Sequence, residues 1–252
     1  MVKLVKLTEL LNYTGQILEV ERFCDYCPNG LQVEGRSEIN SIISGVTASM
    51  ALLQAAEQAG ADLVLVHHGY FWRNEDVRVT GIKRARLKFL LERDINLVAY
   101  HLPLDAHQEL GNNAQLARVL GFNIDGWAGE QNIIAHGALS GTMSFQSLGQ
   151  HIASCLGRTP MLIGELSKPV RRVAWCTGAA QDFLQQAISL GVDAFISGEI
   201  SEQTVHLARE SGVCFVSAGH HASERYGVQA LAGHLAQRFN LQHQFVDIDN
   251  PV

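Results

Sequence analysis

Three short stretches of the sequence combine histidine with a second histidine or with an acidic residue. They read His67-His68-Gly69, His101-Leu-Pro-Leu-Asp105-Ala-His107 and His220-His221-Ala-Ser-Glu224. Imidazole is the commonest protein ligand for metals near neutral pH, and carboxylates complete many of the same sites. A mixed set of these ligands suits zinc, manganese, iron or cobalt and does not select among them. The sequence therefore predicts a metal site.

The pair His67-His68 follows the apolar run 63–66. Consecutive residues inside a strand point to opposite faces, so two ligands at these positions require the strand to end there. Gly69 would then let the backbone turn and bring both rings toward one point. The alternative is a single buried structural histidine beside a solvated one.

In the third stretch, His220 and Glu224 lie one turn apart on the same face if a helix begins after Gly219. The alternative is an ordinary polar pair at the start of a helix. In the second stretch, Pro103 excludes a helix interior, which predicts a loop or a first helical turn that presents Asp105. Because five or more ligands exceed what one catalytic zinc ion with an open position uses, we expect a bridged pair of ions.

The elements that must position these residues alternate between strands and helices. Strands are predicted at 39–46, 63–66 and 96–100, and helices at 50–59, 84–93 and 112–120. An opening helix is expected from the apolar spacing between Leu7 and Leu18, with Thr8 as its N-cap. This alternation predicts βαβ units and an α/β fold with mixed, largely parallel sheets. Ligands of such sheets bind at the carboxyl ends of strands, which is where the histidines occur.

The second half of the chain is similar to the first. Segment 58–62 before one apolar strand corresponds to segment 189–193 before another, and His101 corresponds to His220. The duplication predicts two similar α/β lobes, at residues 1–125 and 126–252, and leaves open that the C-terminal segment packs back on the first lobe. The alternative is that any two βαβ segments share such a pattern before a strand.

Composition limits the class of protein. Of the 252 residues, 47% are hydrophobic and 17% are charged, which is typical of a folded domain with a substantial core. The net charge of -6 argues against nucleic-acid binding, and no apolar run approaches the roughly 18 residues of a membrane span. The five cysteines are odd in number and scattered, which favours a reducing compartment, so we expect a cytoplasmic protein.

Two further features invite a function. Cys24-x-x-Cys27 could be a zinc or redox motif, but no second cysteine pair exists and Pro28-Asn29-Gly30 follows where a helix would be needed. Tyr70 and Trp72 next to the histidines could stack on a base, whereas aromatic residues after a strand more often belong to the core. We predict no role for the cysteines and a core position for the aromatic residues.

Six longer motifs are distributed over essentially the whole chain. They are Pro-Asn-Gly-Leu-Gln-Val-Glu-Gly at 28–35, Gly-Val-Thr-Ala-Ser at 45–49, Val-His-His-Gly-Tyr-Phe-Trp at 66–72, His-Leu-Pro-Leu-Asp-Ala-His at 101–107, Gly-Asn-Asn at 111–113 and Gly-His-His-Ala-Ser-Glu at 219–224. With these motifs the sequence resembles the family of GTP cyclohydrolase 1 type 2 homologs, also called the Nif-three-like family, and in particular its short enterobacterial members.

The resemblance implies two linked α/β lobes, a dinuclear metal centre in the cleft between them and a toroidal homohexamer built as a trimer of dimers. The implied metal ligands are His67, His68, Asp105, His220 and Glu224. Glu224 would bridge the two divalent ions. His101 lies outside this ligand set and is the expected catalytic, proton-transferring residue.

The implied function is a metal-dependent hydrolase that uses metal-activated water on a small-molecule substrate, in the family's case a nucleotide or a related compound. The alternative is a non-catalytic, ring-forming protein that binds metal or a partner. Turnover by the metal-replete protein discriminates between the two hypotheses.

Overall fold

The computed structural model describes residues 4–252, which form two compact units. The first unit contains residues 4–104 and Val228–Asp249, and the second contains Asp105–Gly227 and Asn250–Val252. The boundary predicted from the sequence lies after residue 125 instead. The difference arises because the helix at 112–120 belongs to the core of the second unit and the C-terminal strand belongs to the sheet of the first.

The elements are numbered along the chain, within residues 4–252. The strands are β1 (Val5–Lys6), β2 (Gly30–Val33), β3 (Glu38–Ile39), β4 (Ser41–Thr47), β5 (Leu63–His68), β6 (Asn96–Ala99), β7 (Gly126–Ala128), β8 (Ile134–Ser144), β9 (Met161–Ile163), β10 (Pro169–Trp175), β11 (Ala194–Ser197), β12 (Cys214–Ser217) and β13 (Gln242–Phe245). The helices are α1 (Leu7–Ile17), α2 (Met50–Gln58), α3 (Gly81–Glu92), α4 (Leu102–Ala106), α5 (Asn112–Leu120), α6 (Phe145–Leu156), α7 (Leu184–Ser189), α8 (Glu202–Ser211) and α9 (His220–Phe239).

The main sheet of the first unit has the strand order β13-β4-β5-β6-β2. The strands β13, β4, β5 and β6 pair in parallel, and only β2 is antiparallel to its neighbour. The central strand β5 is buried from Leu63 to His67 because helices cover it, which explains its continuous apolar run. Leu52 and Leu53 of α2 and Leu90 of α3 pack into the same core.

The sheet of the second unit has the strand order β7-β8-β10-β11-β12-β9. Only β10, β11 and β12 pair in parallel, whereas β7, β8 and β9 add antiparallel pairings. The fold is therefore mixed α/β as predicted, but the largely parallel character holds for the first unit only. The core of the second unit contains Phe145 and Ile152 of α6 and Trp175 of β10, all fully buried.

Several local predictions meet the structure with different outcomes. The predicted helix at 112–120 is α5, whose end is capped by Gly121 in the left-handed conformation with φ 67°. Thr8 is not the N-cap of α1, because the helix already begins at Leu7 and Lys6 takes the cap position. No strand is predicted at the position of β2, because Pro28, Asn29, Gly30 and Gly35 are typical of turns.

Within residues 4–252, no helix combines the length and the apolar character that a membrane crossing requires.

Candidate metal centre

The first unit gathers three histidines at the carboxyl ends of two neighbouring strands. His67 and His68 are the last residues of β5, and His101 follows β6 by two positions. Strands β5 and β6 are parallel and in register at Val66 and Ala99, so their carboxyl ends meet at one edge. A ring nitrogen of each histidine lies within 4.8 Å of those of the other two. This is the spacing that a shared cation requires.

The backbone at Gly69 explains why the strand can end here. A side chain at this position would collide with the amide of Gln32 and with Cβ of Ala99, 2.7 Å from the site of a Cβ atom. The amide oxygen of Gln32 accepts a hydrogen bond from the backbone N–H of Tyr70 at 2.6 Å. The strand ends at His68 as the sequence predicts, and glycine is needed at position 69 because of this close approach and not because of a positive φ.

The hydrogen bond of His67 selects the nitrogen of that ring that can bind a cation. Nδ1 of His67 lies 2.9 Å from the backbone oxygen of Tyr100, which only accepts hydrogen bonds, so Nδ1 carries the proton. Nε2 of His67 then carries the lone pair, as in metal-ligating histidines whose other nitrogen donates to an acceptor. Nδ1 of His68 lies 3.2 Å from the hydroxyl of Thr47, which can donate or accept.

The third histidine bonds a carboxylate. Nδ1 of His101 lies 2.7 Å from Oδ1 of Asp25, whose side chain is only 4% exposed. Burial raises the pKa of Asp25, but the hydrogen bond from His101 and the electrostatic attraction between the two side chains outweigh it, with help from Asn29 and the backbone of Tyr26. The net effect lowers the pKa to about 2. The carboxylate is therefore ionised, and His101 donates from Nδ1.

The second unit holds the acidic residues of the predicted site. Asp105 lies in α4, where Pro103 occupies the first turn as the sequence predicts, and its Oδ1 accepts hydrogen bonds from Asn112 at 2.8 Å and from the hydroxyl of Thr177 at 3.2 Å. Carboxylate oxygens of Asp105 and Glu224 lie within 4.8 Å of each other. Both side chains are buried. Two buried carboxylates at this separation favour a cation, because like charges repel strongly away from water.

The start of α9 places a histidine between two further carboxylates. Helix α9 begins at His220, as predicted, and Nε2 of His220 lies 3.1 Å from Oε2 of Glu224 one turn later. Nδ1 of His220 lies 2.6 Å from Oε1 of Glu199, which follows β11 by two positions. Burial lowers the pKa of His220, but hydrogen bonds and charges from Glu224 and Glu199 outweigh it and raise the pKa to about 9. This position favours positive charge, which a divalent ion would supply.

Comparison with known proteins identifies the family. The profile of the family Duf34/NIF3 (NGG1p interacting factor 3) matches residues 5–251. The chain belongs to the Duf34/NIF3 family. A "GTP cyclohydrolase 1 type 2 homolog" of Pseudomonas aeruginosa is 53% identical over 98% of this chain and 99% of its own length, and the homolog of Escherichia coli (strain K12) is 50% identical over 98% and 100%.

Solved structures agree with this assignment. The protein ybgI, described as of unknown function, has a TM-score of 0.96 and 49% identity, with coverage of 98% of this chain and 100% of the other. The protein TTHA1606 from Thermus thermophilus has a TM-score of 0.90 and 33% identity over 98% and 100% of the two chains. The mixed α/β fold is therefore that of solved Duf34/NIF3 structures.

In this Duf34/NIF3 chain, the turn at Thr177 and Gly178 supports the acidic residues. Thr177 donates its hydroxyl to Asp105, and the backbone N–H of Gly178 donates to the hydroxyl of Ser223 at 3.1 Å. Gly178 has φ 69°, and a Cβ atom there would collide with the carboxylate of Glu224. Glycine is therefore required because the turn and the carboxylate approach each other closely.

Tyr70, Trp72 and Cys27 are the residues that the sequence singles out beside the histidines and in the cysteine pair. Tyr70 is a core residue that donates its hydroxyl to the backbone oxygen of Ala48, as expected. Trp72 is not simply core, because its ring centroid lies 5.0 Å from that of His101 and 5.9 Å from that of His68. The thiol of Cys27 is buried, and burial together with the negative charge of Asp25 raises its pKa to about 12.

Proposed function

We propose that this chain is a dinuclear metal-dependent hydrolase that acts on a nucleotide or a related small molecule. The observation that carries the proposal is the orientation of the histidines. His67 and His220 each hold Nδ1 against an acceptor, Tyr100 and Glu199, which fixes Nε2 as the ligand nitrogen. Acidic partners with buried carboxylates complete a donor set that suits a divalent cation.

Five residues would hold two ions: His67, His68, Asp105, His220 and Glu224, with Glu224 as the bridge. The family resemblance supplies this assignment, and the donor chemistry of each unit supports it. The nitrogen and oxygen donors are compatible with zinc, manganese, iron or cobalt. When bound, such ions lower the pKa of water toward about 7 and stabilise negative charge that develops on a substrate.

His101 is proposed to move the proton. It is 14% exposed, it contacts Trp72, and its Nδ1 is held by Asp25, so its Nε2 is the nitrogen that exchanges protons. A base in this position takes a proton from the attacking water and returns it to the leaving group. Trp72 confines the ring of His101 from one side and lowers the access of bulk water to it.

The substrate class follows from the name of the relatives. They are called GTP cyclohydrolase 1 type 2 homologs, so a guanine nucleotide is the first substrate to test. Hydrolysis of a phosphoester is the close variant, because the same two ions would serve both reactions. We further propose that the protein acts in the cytoplasm as a homohexamer built as a trimer of dimers, as the family resemblance implies.

The experiment measures turnover of GTP and of bis(4-nitrophenyl) phosphate by the metal-replete protein, with Asp105→Asn as the ligand variant. We expect turnover by the wild type and its loss in the variant. Glu210→Gln, a change at an exposed glutamate of α8, serves as the matched control and should keep wild-type turnover. If the metal-replete wild type hydrolyses neither compound, a non-catalytic metal-binding or partner-binding scaffold becomes the better account.

A further inference from the structure

The loop before β2 contains a buried carboxylate whose oxygens are fully used. Oδ1 of Asp25 accepts hydrogen bonds from the backbone N–H of Tyr26 at 2.6 Å and from Nδ1 of His101 at 2.7 Å. Oδ2 accepts hydrogen bonds from the side chain of Asn29 at 2.8 Å and from the backbone N–H of Leu102 at 2.9 Å. An ionised carboxylate has about four acceptor directions, and all of them are occupied here.

This saturation decides between two roles for the group formed by Asp25, Cys27 and His101, whose ligand atoms lie within 4.8 Å of one another. A metal ion would have to displace hydrogen bonds from two fixed backbone N–H groups, and Cys27 would have to lose a proton that burial holds firmly. The group is therefore better suited to orienting an imidazole than to binding an ion. The imidazole it orients is that of His101.

Further hydrogen bonds hold the loop that carries Asp25 and join it to His101. Arg73 donates from its backbone N–H to the backbone oxygen of Tyr26 at 2.6 Å and from its guanidinium to the backbone oxygen of Asp25 at 2.7 Å. The side-chain oxygen of Asn29 accepts a hydrogen bond from the backbone N–H of His101 at 2.7 Å. The loop and the end of β6 are thus joined independently of the contact between carboxylate and imidazole.

The second unit repeats the arrangement with other residues. Glu199 holds Nδ1 of His220 at 2.6 Å, and sequence similarity between the two halves makes His220 the counterpart of His101. In both units a carboxylate orients a histidine that follows a strand. The carboxylate is an aspartate in one unit and a glutamate in the other, and in both it holds the imidazole ring in one orientation.

We propose that Asp25 is the positioning residue of His101, which keeps the proton of the neutral ring on Nδ1 and the lone pair on Nε2. This inference rests on the proposed hydrolase function, in which His101 transfers a proton. Nε2 accepts a proton from water while the water oxygen bonds to the substrate, and it returns the proton to the leaving group as the substrate bond breaks. Water is thereby added across the bond, and Asp25 remains ionised throughout.

The direct test is the tautomer of His101 in zinc-loaded protein labelled with ¹⁵N-histidine. Solid-state NMR distinguishes the two ring nitrogens, and the signals of His101 are assigned by their loss in His101→Gln. We expect a single Nδ1–H tautomer in the wild type. In Asp25→Asn the neutral amide no longer requires a donor on the ring, so the Nε2–H tautomer should become populated.

Kinetics with GTP or bis(4-nitrophenyl) phosphate distinguish a role of Asp25 in positioning His101 from a role in packing the loop. Asp25→Asn should lower kcat by about 10²-fold or more, with KM changed less than about threefold and zinc content retained. Asp25→Glu restores an ionised acceptor, so its kcat should be at least about tenfold higher than that of Asp25→Asn. If Asp25 had a purely structural role, Asp25→Glu would have a lower kcat than Asp25→Asn. The extra methylene of glutamate crowds the buried loop more than the isosteric amide does.

Arg73→Gln is the matched control, since it loosens the same loop without touching the carboxylate and should keep the Nδ1–H tautomer. Proton on Nε2 in the wild type would overturn the proposal, as would an Asp25→Asn variant with an unchanged tautomer and an unchanged kcat. If Asp25→Asn does not fold, the wild-type spectrum and Asp25→Glu still decide. If the wild type turns over neither compound, the hydrolase proposal fails, and the tautomer measurement alone decides the role of Asp25.

Discussion

Single residues control this site through the position of protons on imidazole rings. Tyr100, Asp25 and Glu199 each accept a hydrogen bond from Nδ1 of a histidine. A neutral imidazole has one donor and one acceptor nitrogen, so an acceptor on one nitrogen determines what the other can do. The residues that matter for chemistry therefore include acceptors that would touch neither metal nor substrate.

His101→Ala tests the proposed proton transfer at this scale. We expect kcat to fall by about 10²–10⁴-fold, which is the usual contribution of a general acid or base, while metal content stays near that of the wild type. Kinetics on the hydrolysed probe and metal analysis of the same preparation provide the measurement. Loss of metal would instead make His101 a ligand, and unchanged turnover with intact metal would remove its catalytic role.

At the scale of elements, strand ends and a helix start position the histidines of each unit. The parallel strands β5 and β6 end at the histidines of the first unit, and α9 begins at His220 in the second. The edge of the first sheet is completed by β13, which pairs with β4 far away in the sequence. His243 of β13 bonds the hydroxyl of Ser44 in β4 at 2.8 Å.

The burial of His243 in this strand pair should make the free energy of unfolding depend on pH. Burial lowers the pKa of His243 below its ordinary value of 6.5, so the unfolded chain takes up this proton more readily than the folded chain. Stability should therefore fall as pH drops below 6.5 and level off once His243 is also protonated in the folded state. Denaturant unfolding of wild type and His243→Gln between about pH 8 and about pH 5 measures the difference, because other titrating groups cancel.

The control for this comparison is His206→Gln, a change at an exposed histidine of α8 that should leave the pH dependence close to that of the wild type. A wild-type profile that runs parallel to that of His243→Gln across the whole range would contradict the expectation.

Sequence reasoning succeeded where the signal is local. Gly219 and the spacing of His220 and Glu224 predict the start of α9, and apolar periodicity gives α5 its bounds. The contacts of Asp25 and Thr177 are not predicted, because their partners His101 and Asp105 lie 76 and 72 positions away and no local pattern joins them. Cys24 and Cys27 have the more conspicuous spacing, but Asp25, one of the two residues between them, makes the contact with His101.

At the scale of the whole molecule, each compact unit has its own main sheet. Each unit also contains histidine or carboxylate side chains of the kinds that bind metal ions. We propose that copies of the chain assemble into a ring-shaped homohexamer, as the family resemblance implies. The two units share the mixed α/β plan, yet only the first has a mainly parallel sheet.

Light scattering tests the assembly. We expect roughly six times the mass of one chain at micromolar concentration, in line with closed symmetry for soluble homo-oligomers. The ligand variant Glu224→Ala should keep this mass, since the proposed ligands all belong to one chain. A stable monomer under the same conditions would rule out the hexamer.

The central claim is that two divalent ions bind each chain and that Glu224 bridges them. Metal analysis of protein saturated with zinc and then freed of excess metal measures this most directly, for wild type, Glu224→Ala and the exposed control Glu210→Ala. We predict two ions per chain for the wild type and the control, and the loss of both or nearly both in Glu224→Ala. A wild type that binds no more than one ion at saturation, or a Glu224→Ala variant that retains two, would contradict it.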